Sequence, residues 1–280
     1  MTFSIVASDG RAMGVAVASK FLAVGSVVPL VQISDDGRFV GAAATQASAK
    51  WSYKFDAVRL LGSGSDADGA VREVTEADAE HSHRQLGVVG VDSQATYTGA
   101  DCLDWAGGRA GTDEGGGRYA IQGNILVGEQ VVADMERAWF ESAGSPLERR
   151  LLAALLAGDA TGGDSRGRQS AALLVMAPGE GYDGSGVRVD LRIDDHPDAP
   201  RELARLLELS DLYFGSAEDV QPLTGELGNE VGARLHRLGY DGPVAEALTE
   251  WAGVENYEMR LTDDGIDAKV LAALRRATPD

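Results

Sequence analysis

Cysteine, lysine and long apolar runs are scarce in this 280-residue chain. Cys102 stands alone, which excludes an internal disulfide framework and a cysteine-rich metal site. An inert buried thiol is expected there. Lysine occurs only at positions 20, 50, 54 and 269, so arginine carries nearly all the positive charge. No apolar stretch approaches the roughly 20 residues needed to span a bilayer. Residues 1–20 lack a basic start followed by an apolar block, so no signal peptide is read there and a cytoplasmic location is expected. Against these scarcities stand 44 acidic and 25 basic residues and a formal net charge of −19. Such a field disfavours nucleic acid and anionic membranes as partners. Together with abundant glycine and alanine, it suggests adaptation to high salt, where dense carboxylates keep a surface hydrated.

The stretch from Met1 to Lys20 reads as a β-hairpin. Thr2 to Ala7 alternates polar and apolar positions, and Asp9-Gly10 is a turn signal. Ala12 to Ala18 is a run of small and β-branched residues, as in a strand buried on both faces. A tight turn would set Thr2 opposite Val17; a four-residue turn would set it opposite Ser19. Removal of Met1 would leave Thr2 with a free α-amine of pKa about 8 beside its own hydroxyl, a nucleophile carrying its own base. Lys20, a few residues away in either register, would lower that pKa and steady an oxyanion. The plainer alternative is a β-forming threonine that starts a strand and a solvated lysine that ends one.

Further strands are expected over 27–33, with Pro29 hinting at an edge or a bulge, and over 39–45. Helical spacing follows over 53–61 and 66–79. Strands are read over 84–91 and 95–99, and residues 104–117, rich in glycine, as loop. A strand over 119–127 carries Gln122-Gly123-Asn124. Two helices, 129–142 and 146–157, precede strands over 171–176 and 187–193. Strands thus come in clusters separated by helix pairs. That order fits an α+β fold, a four-layer α-β-β-α sandwich of two antiparallel sheets. Residues 194–200 read as a boundary, giving domains 1–198 and 199–280, the second a small all-α bundle.

The segments 2–7, 14–20, Thr45-Gln46, 83–85, 98–102, 105–107, 122–124 and 162–170 resemble a prokaryotic family known as domain of unknown function 1028. Members of that family look like N-terminal-nucleophile hydrolases, the superfamily of proteasome subunits and penicillin acylases. The resemblance runs from residue 1 to about 210 and implies the same sandwich. Residues 211–280 are similar to a peptidoglycan-binding-like domain through 212–215, 237–240, 251–256 and 265–267. A docking or dimerisation role is an equal reading of that part. The family's asparagine-proline-x-tyrosine-glycine stretch after Thr45-Gln46 is replaced here by 47–53. The superfamily's lysine on the third strand has no counterpart in 27–33, which leaves that role to Lys20 or leaves it unfilled.

The resemblance also suggests roles. Thr2 would be the catalytic nucleophile, with Asn124 and the Gln122-Gly123 backbone as oxyanion donors. Asp164 would hold the amine and Ser170 would relay a proton. Ser19, Gln46, Gln122 and Arg166 would line the substrate. The plainer readings are a buried polar pair at Asn124 and an Asp-Gly turn at Asp164. The acids of 194–198 are read as a solvated linker rather than a cation site, and His81 and His83 without cysteine partners as no zinc site. No metal or organic cofactor is required. The expected activity is amide or acyl hydrolysis on an unidentified small or peptide-like substrate, by a homo-oligomer. The alternative is a non-enzymatic binding protein of hydrolase ancestry.

Overall fold

A computed structural model describes residues 2–263 and 265–279. The chain divides into two compact units, 1–205 and 206–280. The division falls inside a helix, not in the acidic stretch before it.

The first unit is α+β. Its strands are β1 (Thr2–Ser8), β2 (Met13–Ser19), β3 (Pro29–Ile33), β4 (Phe39–Ala47) and β5 (Arg84–Val89). They continue with β6 (Gln94–Thr98), β7 (Gly107–Thr112), β8 (Arg118–Asn124), β9 (Ser170–Met176) and β10 (Val187–Ile193). Two antiparallel sheets result, one in the order β10-β9-β2-β1-β8-β7, the other β3-β4-β5-β6. Helices α1 (Ser52–Gly62) and α2 (Ala67–Glu76) cover the second sheet, and α3 (Gln130–Glu141) and α4 (Leu147–Ala160) the first. This is the four-layer arrangement. Pro29 opens an edge strand, where its missing N–H costs no ladder bond.

The hairpin adopts the longer turn. Ser8 faces Met13 and Thr2 faces Ser19. Asp9 sets that turn, its Oδ1 accepting the main-chain N–H of Arg11 at 2.8 Å and of Ala12 at 2.7 Å. The reading of 104–117 as loop is corrected, since Gly107–Thr112 is strand β7 on the edge of the larger sheet. Its glycines answer close packing. A Cβ on Gly108 would lie 2.6 Å from the Ile121 carbonyl oxygen, and one on Gly111 2.6 Å from the Tyr119 hydroxyl.

Between the sheets lies an apolar core that includes Val6, Met13, Val15, Val17, Val31, Ala42, Ala44 and Val89. A second core under α1 and α2 includes Tyr53, Val58, Val74, Leu86 and Val88. Helix α5 (Ala199–Phe214) carries the division between the units. The second unit contains α6 (Gly225–Arg237), α7 (Val244–Val254) and α8 (Ala268–Ala277), packed on Val231, Leu235, Trp251, Ile266 and Leu274. Arg260, 1 % exposed, is spent internally: it pairs with Asp267 at 3.0 Å and donates to the carbonyls of Asp211, Leu212 and Ser216. No helix among the described residues is long and apolar enough to cross a membrane.

Candidate active site

Sheet register builds the site. Across β8, β1, β2 and β9 the residues Asn124, Thr2, Ser19 and Ser170 form one rung. On the facing sheet Gln46, Gln85 and Thr98 form another across β4, β5 and β6. Side chains on a strand alternate between faces. The first rung therefore shares a face with Val6, Val15 and Val17, which point into the gap between the sheets. These two polar rungs meet at one end of that gap.

Thr2 is 6 % exposed, and its Oγ1 lies 3.1 Å from Ser19 Oγ. Its carbonyl oxygen accepts from Gln46 Nε2 at 3.2 Å and from Asn124 Nδ2 at 3.4 Å. Both amides also donate to Gln85 Oε1, at 2.7 and 3.0 Å. Gln85 Nε2 in turn donates to Thr98 Oγ1 and the Gly123 carbonyl, both at 2.8 Å. One rung along, Ser4 Oγ donates to Gln46 Oε1 at 2.6 Å and accepts from Gln122 Nε2 at 2.7 Å. Thr96 Oγ1 completes the chain on Gln122 Oε1. Ser4, Gln85 and Gln122 are 0 % exposed, so each of these amides depends on protein partners.

The sequence-based candidates separate into two groups. Thr2, Ser19, Gln46, Gln122 and Asn124 come together in this network. Gln46 and Gln122 lie inside it, gripping Thr2 and Ser4, rather than on an open wall. Asn124 uses its two N–H groups on the Thr2 carbonyl and Gln85. Lys20, Asp164 and Arg166 form a neighbouring staple. Asp164 accepts the main-chain N–H of Lys20 at 2.7 Å and of Arg166 at 2.9 Å, and Arg166 Nη2 lies 3.4 Å from the same carboxylate. Arg166 Nη2 also donates to the Lys20 carbonyl at 3.0 Å. Thr2 is not among the partners of Asp164 among the described residues. The Lys20 ammonium reaches the Arg168 carbonyl at 3.2 Å. Ser170 Oγ is engaged by the loop after β2, donating to the Phe21 carbonyl and accepting from Val24 N at 3.1 Å. The free amine of a trimmed chain depends on Met1, which lies outside the described residues.

Sequence reasoning missed Gln85, the acceptor shared by Asn124 and Gln46. Its signal was present as polar residues at alternate positions of otherwise apolar strands: Thr2 and Ser4, Gln122 and Asn124, Gln85. It also missed a lysine that reaches the third strand from a helix. Lys54 on α1 donates to the carbonyls of Val27 at 2.6 Å and Pro29 at 3.1 Å. Burial pulls its pKa down to about 8. Asp78, which follows α2, accepts from Tyr53 at 2.7 Å and Arg84 at 3.1 Å. The Tyr53 hydroxyl, Arg84 and Lys50 hold that carboxyl far below its ordinary range, against the pull of burial. Cys102 is half-buried rather than enclosed. Burial raises its thiol pKa, and Sγ donates to the Arg84 carbonyl at 3.4 Å. His81 meets the Tyr97 hydroxyl at 2.6 Å. No group of three or more metal-ligating side chains occurs among the described residues.

A void of about 10 Å³ adjoins Ser19, Asp164 and Ser170. Two larger cavities are lined by other parts of the unit, one including residues 9, 11 and 112–115, the other including 37–40 and 90–93.

Residues 2–203 match the model described as "Family of unknown function (DUF1028)". The chain belongs to the DUF1028 family. Residues 213–274 of this DUF1028 protein match a further model, described as "Putative peptidoglycan binding domain". A crystal structure of a DUF1028 protein from Silicibacter pomeroyi is similar, with 29 % identity and a TM-score of 0.62. The match covers 82 % of this chain and 92 % of that one. No curated protein matches it.

Proposed function

We propose that this DUF1028 protein is an N-terminal-nucleophile hydrolase acting on an amide or related acyl group. After loss of Met1, Thr2 Oγ1 attacks the carbonyl carbon while the Thr2 α-amine takes the hydroxyl proton. The tetrahedral intermediate collapses, the C–N bond breaks, and the leaving amine takes that proton. Water then hydrolyses the threonine ester, releasing a carboxylic acid and restoring Thr2. The observation that carries this reading is the position of Thr2. It opens a central strand, its hydroxyl rests on Ser19, and two amide donors already lie at its carbonyl oxygen.

In this scheme Asn124 releases the Thr2 carbonyl, the longer of the two amide contacts there, and turns to the developing oxyanion. An amide in that role contributes roughly 3–4 kcal/mol. Asp164 and Lys20 act at one remove. The carboxylate fixes the main chain of Lys20, the residue after the Ser19 that holds Thr2 Oγ1. Arg166 clamps the same turn, and Ser170 holds the loop that follows. None of these steps calls for a metal or an organic cofactor.

The test is intact mass after exposure to a β-lactone acylating probe in high salt. A chain lacking Met1 should gain one acyl group on the N-terminal peptide, and Thr2→Ala should gain none. Retention of Met1 in the native host, or equal labelling of Thr2→Ala, would end this reading.

A second reading has its own observation. Thr2 is 6 % exposed and the network around it is mutually satisfied, as in a cluster that locks two sheets together. The protein would then be a binding protein on a hydrolase-like scaffold, its helical unit docking to a glycan or a protein. Sedimentation with purified peptidoglycan sacculi, with the second unit's helices as the varied surface, tests that docking. Equilibrium ultracentrifugation tests the homo-oligomer that either reading accommodates.

A further inference from the structure

A cavity of about 590 Å³ opens where three turns of the first unit meet: the β1–β2 turn, the β7–β8 turn and the α3–α4 turn. It lies beyond Ser8, at the opposite end of β1 from Thr2. Its size falls within the range of small-molecule sites.

Arg150 lines it, with a side chain 6 % exposed. The guanidinium carbon lies 3.5 Å from the centroid of the Trp139 ring, so the group is held flat against the indole. Nη2 donates to Asp113 Oδ2 at 2.6 Å and to the Trp139 carbonyl at 3.0 Å. Nη1 takes no acceptor among the described residues, and Nε is buried without one. The Trp139 indole N–H is buried without an acceptor as well. A buried guanidinium costs desolvation that one carboxylate seldom repays. Nη1 is the spare donor not sealed in the interior, and it calls for an acceptor from outside.

The walls carry both signs. Arg11 has no carboxylate partner among the described residues. Asp9 spends Oδ1 on the turn and keeps Oδ2. Glu114 has no cationic partner among the described residues. Phe140, 44 % exposed, adds an apolar wall. A dianion such as phosphate would meet Asp9, Asp113 and Glu114. A simple cation would meet two guanidinium groups. A ligand that carries both charges a few bonds apart meets neither objection.

We propose that this cavity binds a zwitterionic amino acid or short peptide, its carboxylate on Arg150 and Arg11, its ammonium on Asp9 and Glu114. An apolar side chain of the ligand rests on Phe140. The site is separate from Thr2, and its occupancy does not depend on whether Thr2 is a nucleophile.

Titration calorimetry of the full chain with glycyl-leucine tests this. Saturable one-to-one binding is expected. N-acetylation or C-terminal amidation of the dipeptide should each weaken it about tenfold, as loss of a charge-assisted pair does. Arg11→Gln and Glu114→Gln should do the same. Both residues stand on turn tips, so these variants keep the fold even if Arg150→Gln does not. Absence of saturable binding at about 10 mM, roughly ten-thousandfold above micromolar recognition, would overturn the proposal. So would binding that neither substitution nor blocking of either end of the dipeptide changes.

Discussion

The gap between the two sheets changes chemistry along the strands that line it. At the Thr2 end, β1, β4, β5 and β8 contribute threonine, serine, glutamine and asparagine, all buried. Two rungs along, the same faces contribute Val6, Val15, Ala42, Val89 and Ala120. Both ends exclude water, so they hold the sheets together by different means. The apolar end is non-directional and answers to volume. The polar end answers to geometry, because every buried amide must find its partners or lose the free energy of the missing bond. A sheet pair joined by valine alone would tolerate a small slip. One joined through Gln46, Gln85, Gln122 and Asn124 has one workable register, and that register sets the Thr2 hydroxyl against Ser19.

The largest break in this contrast should come from Gln85→Ala. It strips the shared acceptor from Asn124 and Gln46 and the donor from the Gly123 carbonyl. A loss of about 3 kcal/mol in denaturant unfolding is expected. Acylation of Thr2 should also fall, even under conditions where the variant is folded. Gly87→Ala comes next. Its Cβ would lie 2.1 Å from Gln122 Oε1, an atom already engaged by Thr96. Displacing that amide should cost about 2–3 kcal/mol by the same measurement.

Val15→Ala sharpens the other side. It removes fully buried volume at the apolar end and should cost about 2 kcal/mol. Thr2 labelling of the folded variant should match the parent, since no hydrogen bond of the network changes. Equal loss of labelling in Val15→Ala and Gln85→Ala would erase the distinction between the two ends. The smallest effect lies in the helical unit. Glu230 accepts from Arg275 and Arg234, which pull its pKa from 4.5 to about 2. A lowered folded-state pKa stabilises above the unfolded value and is lost as pH falls. Stability should therefore decline between pH 4.5 and about 2, and Glu230→Gln should flatten that part of an acid titration followed by circular dichroism.

Much of the first unit was legible in the chain because it follows from local pattern. Alternation marked the strands, three- and four-residue spacing marked the helices, and their clustering marked the two covered sheets. Pro29 pointed to an edge or a bulge, and β3 is an edge. Strand β7 was missed because Gly107, Gly108 and Gly111 read as loop. Their cause is the closeness of Ile121, Tyr119 and Trp105, which the local pattern does not show. The Asp9-Gly10 turn left two registers open, and both had the right hydrophobic pattern. Side-chain hydrogen bonds of Asp9 and the ladder to β8 and β9 select the longer one.

The site divides in the same way. Thr2, Ser19, Gln122 and Asn124 share one face because strand alternation sends them there, and Gln46 meets them from the facing sheet. Asp164 and Ser170 were assigned to the amine and the proton by resemblance. Their oxygens meet the main chain of residues 20, 21, 24 and 166. Gln85 lies far from Asn124 in sequence and on the other sheet, so no spacing rule could link them. Lys54 reaches Val27 and Pro29 because a helix packs over an edge strand.

The order of residues settled which segments become strands and helices, which faces are apolar, and that a threonine stands at the start of the first strand. These depend on interactions within a few residues, which a linear pattern records. Tertiary packing alone decided which amide meets which oxygen, where each loop carboxylate goes, and how two guanidinium groups and three acids come to line one cavity. Those outcomes depend on hydrogen bonds a few ångströms long between segments a hundred residues apart, and such distances exist only once both sheets are in register.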